Sequence, residues 1–282
     1  MIQHLAIVGL GLLGGSVAKA TRARGLAKEI VAVGRRREIL VPALDSGVVD
    51  RVTTDLAEGL READFILLAT PVATIEALLP EVWKFAEADA ILTDVGSTKG
   101  HLIRKMEHLA RERPLAFVGG HPMAGSEQSG FGAAREDLFQ GTTVILTPTE
   151  ATQEWVTKRV ADFWERLGGR VVNMPPDLHD RVVAAVSHFP HLVAYALVST
   201  AAGLDGSPLA YAARGFKDTT RIAASDARLW REIFLANREA LFETLRAFRR
   251  VLDGMERTLV AERGDLLEAE LDRIRRIREQ LS

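Results

Sequence analysis

The chain has 282 residues, of which 47% are hydrophobic and 26% charged, and its formal net charge is −2. This apolar content is ordinary for a folded protein and excludes a disordered chain. With 36 basic against 38 acidic residues there is no basic excess to neutralise phosphates, so no nucleic-acid partner is expected. The lack of cysteine excludes disulfides, thiolate metal sites and cysteine nucleophiles. No targeting segment precedes the first apolar run, and we expect a cytoplasmic protein.

The first half of the chain alternates short apolar runs with longer helical patterns, such as the helix predicted over 152–167. Continuous apolar runs are typical of parallel strands that are covered on both faces. The alternation therefore predicts a doubly wound α/β domain over residues 1–174. The predicted strands are Leu5–Val8, Ile30–Val33, Phe65–Leu68, Ile91–Leu92, Ala116–Val118, Val144–Leu146 and Arg170–Asn173.

After Pro175-Pro176 the strand pattern ends and helical spacing replaces it, so residues 175–282 are predicted to form an all-α domain. The stretch from Val182 to Leu204 has no Asp, Glu, Lys or Arg and is long enough to span a bilayer. Because it contains two histidines and a proline near its start, we interpret it as a helix of a soluble core or subunit interface, with no membrane partner. Together with an apolar stripe in the last helix, it predicts a homodimer formed through the helical domain.

A glycine-rich segment, Gly9-Leu10-Gly11-Leu12-Leu13-Gly14, follows the first strand and begins a helix. Gly9 permits a tight turn, Gly11 lets the backbone approach a pyrophosphate, and Gly14 lets helix and strand pack closely. The first N–H groups of the helix are free to bind phosphates. In this strand–loop–helix context the segment predicts a dinucleotide-binding site.

The end of the second strand indicates which dinucleotide binds. An NAD-binding protein usually carries an acidic residue there for the ribose 2′-hydroxyl. This chain instead has Gly34-Arg35-Arg36-Arg37. Guanidinium groups suit a 2′-phosphate, so the pattern favours NADP over NAD, with Arg35 and Arg36 as candidate contacts. The alternative is that the arginines form a solvated loop and NAD binds.

Four further segments carry residue types that point to chemistry. Asp94–Lys99 follows a strand, at the edge of the sheet where α/β proteins bind ligands. Gly119–Glu127 places His121 among glycines and a proline, which predicts a constrained functional loop. Ser187–His191 and Phe216–Ala223 lie in the helical half.

In these segments the sequence resembles the prephenate dehydrogenase family, which includes the arogenate dehydrogenases of tyrosine biosynthesis. The resemblance covers nearly the whole chain and implies an N-terminal Rossmann domain, a helical dimerisation domain and an active site in the cleft between them. It also implies oxidative decarboxylation of prephenate to 4-hydroxyphenylpyruvate, with hydride transfer to NAD or NADP. The segments that carry it, in the family's order, are Gly9–Ser16, Asp94–Lys99, Gly120–Glu127, Ser187–His191 and Gly215–Ala223.

The resemblance further implies roles for individual residues. His121 matches the catalytic histidine, a group that can accept a proton near neutral pH, and Ser97 matches a serine that hydrogen-bonds the same substrate hydroxyl. Arg221 matches an arginine that binds a substrate carboxylate, and His191 matches a histidine near the substrate carboxylates. The supporting positions are Glu127, Asp218 and Trp230 for the substrate and Thr70-Pro71 beside the cofactor.

Three alternatives stand beside this assignment. Arogenate is the close alternative substrate. A β-hydroxyacid dehydrogenase has a similar architecture but uses a catalytic lysine, and Lys217 is the only lysine of the helical half. A non-catalytic NADP-sensing module is the alternative from a different class. We interpret His188 as structural and Lys99 as the start of a helix, assign nothing to His179, and expect no metal site because the histidines show no HExxH pattern.

Overall fold

The computed structural model describes residues 1–125 and 128–281. Within these ranges the strands are β1 Ile2–Val8, β2 Ala27–Val33, β3 Arg51–Thr53, β4 Phe65–Leu68, β5 Ile91–Asp94, β6 Ala116–Phe117, β7 Gly119–Pro122, β8 Thr143–Thr147 and β9 Arg170–Asn173. The α-helices are α1 Leu12–Ala23, α2 Arg37–Asp45, α3 Leu56–Leu60, α4 Val72–Phe85, α5 Gly100–Glu112, α6 Glu154–Arg166, α7 Pro176–Val183, α8 Phe189–Gly203, α9 Arg214–Thr220, α10 Ala227–Ala236, α11 Arg238–Val260 and α12 Gly264–Glu279.

The main sheet has six parallel strands in the order β3-β2-β1-β4-β5-β6. Its strands are apolar because both faces are covered: along β1, Leu5 and Ile7 belong to one core cluster and Ala6 and Val8 to the other. The strand order reverses between β1 and β4, which opens a crevice at the carboxyl ends of these strands. The predicted doubly wound α/β fold is confirmed, and the segments that follow β1, β4 and β5 all lie at this edge.

The three remaining strands form a separate sheet in the order β7-β8-β9, with β7 antiparallel to β8. His121 lies in β7 and pairs with Ile145 of β8, so the predicted loop around His121 is wrong. Gly-Gly-His-Pro has little intrinsic strand preference, and pairing with the apolar strand β8 decides the conformation. The two glycines are needed for packing, since a Cβ on Gly120 would lie 2.6 Å from the carbonyl oxygen of Asp94.

The second half is helical, as predicted, and much of its apolar surface is uncovered in the single chain. Pro176–Gly203 has the length and hydropathy of a membrane span, but only 22% of its apolar window is buried. Within α8 only Ala194 is buried, so the expectation of a helix enclosed in the core is wrong for one chain; the subunit-interface alternative fits the exposed surface. The described residues of α12 include no buried side chain, which leaves its apolar stripe exposed as well.

Candidate active site

The glycine-rich segment forms an open cradle of backbone at the crevice. Gly9 has φ +101°, and a Cβ on Gly14 would lie 2.0 Å from the carbonyl oxygen of Gly9, so neither position accepts a side chain. Gly11 faces open space, and α1 begins beside it with no side-chain cap and no acidic residue in its first turn. The first N–H groups of α1 at Leu12 and Leu13 are therefore available to an anion. These features fit a dinucleotide pyrophosphate.

Thr70 and Pro71 lie directly beside this cradle. The Cγ2 atom of Thr70 would be 2.6 Å from a Cβ placed on Gly9, and Pro71 stands at the start of α4. The Thr70 hydroxyl is buried and has no hydrogen-bond partner in the described part of the chain. A buried hydroxyl without a partner is costly, so this atom is suited to a bound cofactor.

The arginines after β2 divide into two groups. The Arg37 guanidinium donates to the carbonyl oxygen of Val52 at 3.2 Å, which ties it to the fold. Arg35 and Arg36 are exposed, and Arg36 makes a loose contact of 3.8 Å with Glu38. Unlike Arg37, Arg35 and Arg36 are not held by a hydrogen bond to Val52, and they stay the candidates for a cofactor contact.

Asp94, the last residue of β5, ties two functional segments together. Its carboxylate is fully buried and accepts hydrogen bonds from the backbone N–H groups of Gly96, at 2.8 Å, and Gly120, at 3.1 Å. The same carboxylate forms a fully buried ion pair with Lys99. Since Ser97 follows Gly96 and His121 follows Gly120, one carboxylate holds both predicted catalytic residues in register. Lys99 does precede a helix, as predicted, but its ammonium group is also part of this centre.

His121 is the first member of a hydrogen-bonded chain that crosses from one domain to the other. Its Nδ1 lies 2.8 Å from Nε2 of His179, and Nδ1 of His179 lies 2.8 Å from Oδ1 of Asp180. The Asp180 carboxylate also accepts hydrogen bonds from the backbone N–H groups of Lys99 and Gly100, each at 2.8 Å, where α5 begins. The N-terminus of α5 therefore fixes the Asp180 end of this hydrogen-bonded chain.

The direction of the hydrogen bonds sets the tautomers. A carboxylate only accepts, so His179 carries its hydrogen on Nδ1 and presents a lone pair on Nε2. His121 must then donate from Nδ1, which leaves the lone pair of the neutral ring on Nε2. Residues His179 and Asp180 thus prepare His121 as a proton acceptor.

The protonation states of His121, His179 and Asp180 agree with those tautomers. Burial, together with the neighbouring His179, Lys99 and His188, holds the pKa of His121 well below 6.5, so the ring is neutral at neutral pH. Burial also lowers the pKa of His179, although Asp180 opposes that shift. Burial acts to raise the pKa of Asp180, but the hydrogen bonds from His179, Lys99 and Gly100 outweigh it, and the pKa is lowered. Asp180 is therefore ionised.

A second group of predicted residues meets in the helical domain. The rings of His191 and Trp230 stack with centroids 3.4 Å apart. Nδ1 of His191 lies 2.9 Å from the carbonyl oxygen of Ser187 and carries the hydrogen, which leaves Nε2 as the acceptor of the neutral ring. Burial lowers the pKa of His191, the hydrogen bond to Ser187 opposes this shift, and the positive charge of Arg221 adds to it. Arg221 begins the short turn Arg221–Ala224 that follows α9.

The remaining predicted substrate residues are placed differently. The Asp218 carboxylate pairs with Arg214 at 3.3 Å on the exposed surface of α9. Glu127 lies outside the described residues. The prediction missed His179 and Asp180, because a His-Asp pair on a helix has no local pattern that connects it to a strand 58 residues earlier.

Two family models match consecutive parts of the chain. The model of the nucleotide-binding domain of prephenate dehydrogenase matches residues 17–173, and the model of the dimerization domain matches residues 175–273. The chain is 34% identical over 271 residues to a cyclohexadienyl dehydrogenase of Zymomonas mobilis, across 95% of this chain and 92% of the relative. It is 37% identical over 257 residues to a prephenate dehydrogenase of Bacillus subtilis, across 90% and 69%.

Two solved structures are similar over almost their whole length. A prephenate dehydrogenase from Aquifex aeolicus, in complex with hydroxyphenyl propionate and NAD+, superposes with a TM-score of 0.94 at 37% identity, across 100% of this chain and 99% of that chain. An arogenate dehydrogenase from Synechocystis superposes with a TM-score of 0.87 at 30% identity, across 99% and 100%.

Proposed function

Because the chain belongs to the prephenate dehydrogenase family, we propose that it catalyses the oxidative decarboxylation of prephenate to 4-hydroxyphenylpyruvate, with hydride transfer to NAD+ or NADP+. The observation that carries this proposal is the hydrogen-bonded chain that gives the buried His121 a lone pair on Nε2. That lone pair lies in the same rigid centre as Ser97, at the edge of the sheet where a dinucleotide fits. The cofactor cradle and the proton acceptor are thus built together.

The reaction requires a group that removes a proton from an alcohol. Prephenate is a cyclohexadienol with a ring carboxylate and a pyruvyl side chain. The Nε2 atom of His121 accepts the hydroxyl proton, while Ser97 hydrogen-bonds the same hydroxyl and orients it. When bound, the nicotinamide ring supplies the acceptor for the hydride that leaves the carbinol carbon.

Loss of carbon dioxide completes the reaction. The electrons of the broken carbon–carboxylate bond enter the ring, which becomes aromatic as a phenolate. The protonated His121 returns its proton to this phenolate oxygen. Asp180 stabilises the transient positive charge through His179, because the ionised carboxylate lies at the far end of the chain. Prephenate and the oxidised cofactor give 4-hydroxyphenylpyruvate, carbon dioxide and the reduced cofactor, so the reaction balances without a further reactant.

Arg221 and His191 are proposed to hold the substrate carboxylates. A guanidinium can grip a carboxylate through two parallel hydrogen bonds. The stacked rings of His191 and Trp230, here called the His191–Trp230 wall, are proposed to line the substrate site. We also assign Asp218 and Glu127 a supporting role in substrate binding, as the resemblance implies; Glu127 lies outside the described residues.

Replacing Arg221 by alanine should raise the KM for prephenate by about 10- to 100-fold, because a charge-assisted hydrogen bond to the substrate is lost. The kcat should change less, since the proton acceptor is untouched. Steady-state kinetics at saturating cofactor measure both constants. Arg228→Ala is the matched control, because Arg228 is an exposed arginine of the next helix, α10, and has no assigned role. An unchanged KM in the Arg221 variant would make that residue structural.

NADP is the proposed preferred cofactor, on the basis of the exposed Arg35 and Arg36 and the missing acid at the end of β2. Arg35→Ala should lower kcat/KM for NADP+ by about 10- to 100-fold, since a guanidinium–phosphate contact is lost. The value for NAD+ should stay within about threefold, because a ribose hydroxyl needs no cation. Arg37→Ala is the control, since that guanidinium is held by Val52. Wild-type enzyme that prefers NAD+ would contradict this assignment.

A two-by-two assay tests the function itself. Purified protein is given prephenate or arogenate with NAD+ or NADP+, and reduced nicotinamide is followed by absorbance. Turnover is expected with prephenate. Turnover only with arogenate would identify the alternative substrate, which differs by an amino group in place of the ketone. Cofactor binding without turnover in any of the four mixtures would favour the NADP-sensing module.

We propose that the chain assembles as a homodimer through the helical domain, residues 175–282, with the domain boundary between β9 and α7. The family model for this region is a dimerization domain. The exposed apolar surfaces of α8 and α12 supply what a partner chain would cover. Sedimentation at micromolar concentration should give about twice the chain mass of 30.9 kDa. A species of the single-chain mass would contradict the dimer.

A further inference from the structure

Asn237 occupies the junction between α10 and α11 and is 5% exposed. Its side-chain nitrogen lies 2.8 Å from the backbone carbonyl oxygen of Asp180 and 3.0 Å from Nδ1 of His188. One amide group therefore reaches the residue at the end of the His121 chain and a second buried histidine. Neither contact is used in the reaction described above.

These two contacts fix the orientation of the amide. A carbonyl oxygen only accepts hydrogen bonds, so the atom of Asn237 that meets Asp180 is the nitrogen. The second hydrogen of this nitrogen then points at Nδ1 of His188, which must lack a proton in order to accept it. Neutral His188 consequently carries its hydrogen on Nε2.

No hydrogen bond at Nε2 of His188 accounts for this tautomer. The ring is 1% exposed, and its Nε2 has no hydrogen-bond partner among the described residues. Burial lowers the pKa of His188 to about 4; Asp180 opposes this shift, whereas His179 and His191 add to it. The ring is therefore neutral at neutral pH, and its tautomer is set by Asn237.

The position of His188 connects the two halves of the active site. It ends the π-helical stretch Ala184–His188 between α7 and α8, and π-helical turns are frequent at functional sites. Its ring meets the ring of Trp230 edge to face, with centroids 6.1 Å apart. Trp230 in turn stacks on His191. A proton gained by His188 would add a charge that faces His121, His179 and His191.

We propose that Asn237 is a positioning residue, which pins Asp180 and holds His188 neutral with its hydrogen on Nε2, so that the His121 chain and the His191–Trp230 wall keep their mutual placement. This inference rests on the proposed function for its kinetic consequence, but the tautomer that it assigns belongs to the protein alone. Asn237→Asp is the sharpest test, because the side chain keeps its shape and loses both donors. A carboxylate there would attract a proton to Nδ1 of His188 and repel the carbonyl oxygen of Asp180.

The first measurement is the protonation of His188 in long-range 1H–15N correlation spectra of the full-length protein labelled with 15N-histidine, with assignment by His188→Gln. Wild-type protein at neutral pH should show Nδ1 of His188 unprotonated and Nε2 protonated. The Asn237→Asp variant should show Nδ1 of His188 protonated. A wild-type His188 with its hydrogen on Nδ1 would overturn the proposal without any assay of turnover.

The second measurement is kinetic. Asn237→Asp and Asn237→Leu should each lower kcat with prephenate by about 10- to 100-fold, as expected when reacting groups lose their placement. The aspartate variant alone should also change the pH profile of kcat, because only it places a titratable carboxyl group against His188. The control is Asn173→Asp, at the only other asparagine of the chain, which is exposed at the end of β9.

The possible outcomes separate the positioning role of Asn237 from the proposed function. Equal losses in both Asn237 variants with an unchanged pH profile would show a purely structural residue and overturn the proposal. Normal kcat in both variants would do the same. Lack of turnover by wild-type protein would overturn the proposed function and the kinetic role together, while the spectra would still decide the tautomer.

Discussion

Replacing His121 by asparagine should lower kcat with prephenate by about 100- to 10,000-fold, the range expected when a general base is lost. The change is well matched to the site. The asparagine amide can occupy the place of Nδ1 and still donate to His179, but it has no lone-pair nitrogen in the place of Nε2. The affinity for the nicotinamide cofactor should stay within about twofold, because His121 lies on β7 rather than on the glycine-rich cradle. Stopped-flow or steady-state absorbance of reduced nicotinamide measures kcat, and fluorescence titration measures cofactor binding.

The pH dependence gives a second check on His121. The neutral ring is the active form, so kcat/KM falls as the pH falls through the pKa of His121 in the free enzyme. Because burial and the neighbouring groups hold that pKa well below 6.5, the acid limb of the wild-type profile should lie below pH 6.5. His108→Asn, at a histidine that is 71% exposed on α5, should leave the profile and kcat unchanged. Full activity of the His121 variant would remove the assigned role.

Replacing Asp180 by asparagine should lower kcat by about 100- to 10,000-fold, by analogy with the loss seen when the aspartate that orients a catalytic histidine becomes an amide. The wild-type carboxylate receives three hydrogen bonds that require an acceptor, from His179, Lys99 and Gly100. An amide nitrogen in this position would meet another donor. If the amide donates to Nδ1 of His179, the tautomers of both histidines reverse and the lone pair on Nε2 of His121 is lost.

Asp177→Asn is the matched control for this change. Asp177 lies on the same helix and its side chain is 77% exposed, where it makes a contact of 3.5 Å with Arg104. It should retain wild-type kcat, since exposed ion pairs contribute little. Thermal unfolding of both variants separates a loss of folding from a loss of chemistry. An Asp180 variant that folds normally and turns over at the wild-type rate would show that His121 needs no orienting carboxylate.

The parts of the fold that depend on local pattern could be predicted from the sequence. The turn at Gly9, the apolar strands of the main sheet and the strand at Arg170–Asn173 each carry their signal within a few residues. The strand β3, Arg51–Thr53, has only three residues and one apolar side chain, too little for a pattern. The strand that carries His121 owes its conformation to β8, which lies more than 20 residues later.

The same contrast holds for the candidate site. Ser97, His121, Arg221 and His191 were found through motifs that each stay within one segment. The chain of His121, His179 and Asp180 forms only after the helical domain packs on the α/β domain, so no segment contains it. The burial of Lys99 is equally invisible in the sequence, since its partner Asp94 is identified only when the loop between them folds back. Tertiary packing therefore supplies what turns a set of motif residues into a proton-accepting centre.

The most direct measurement is the stoichiometry of the reaction of wild-type protein with prephenate and the preferred cofactor, with carbon dioxide and reduced nicotinamide counted in the same sample. Equal amounts of carbon dioxide, reduced nicotinamide and 4-hydroxyphenylpyruvate are expected, and all three should fall together in the His121→Asn variant. Reduced nicotinamide without carbon dioxide would show simple alcohol oxidation. That result, or no reduction at all, would contradict oxidative decarboxylation at His121.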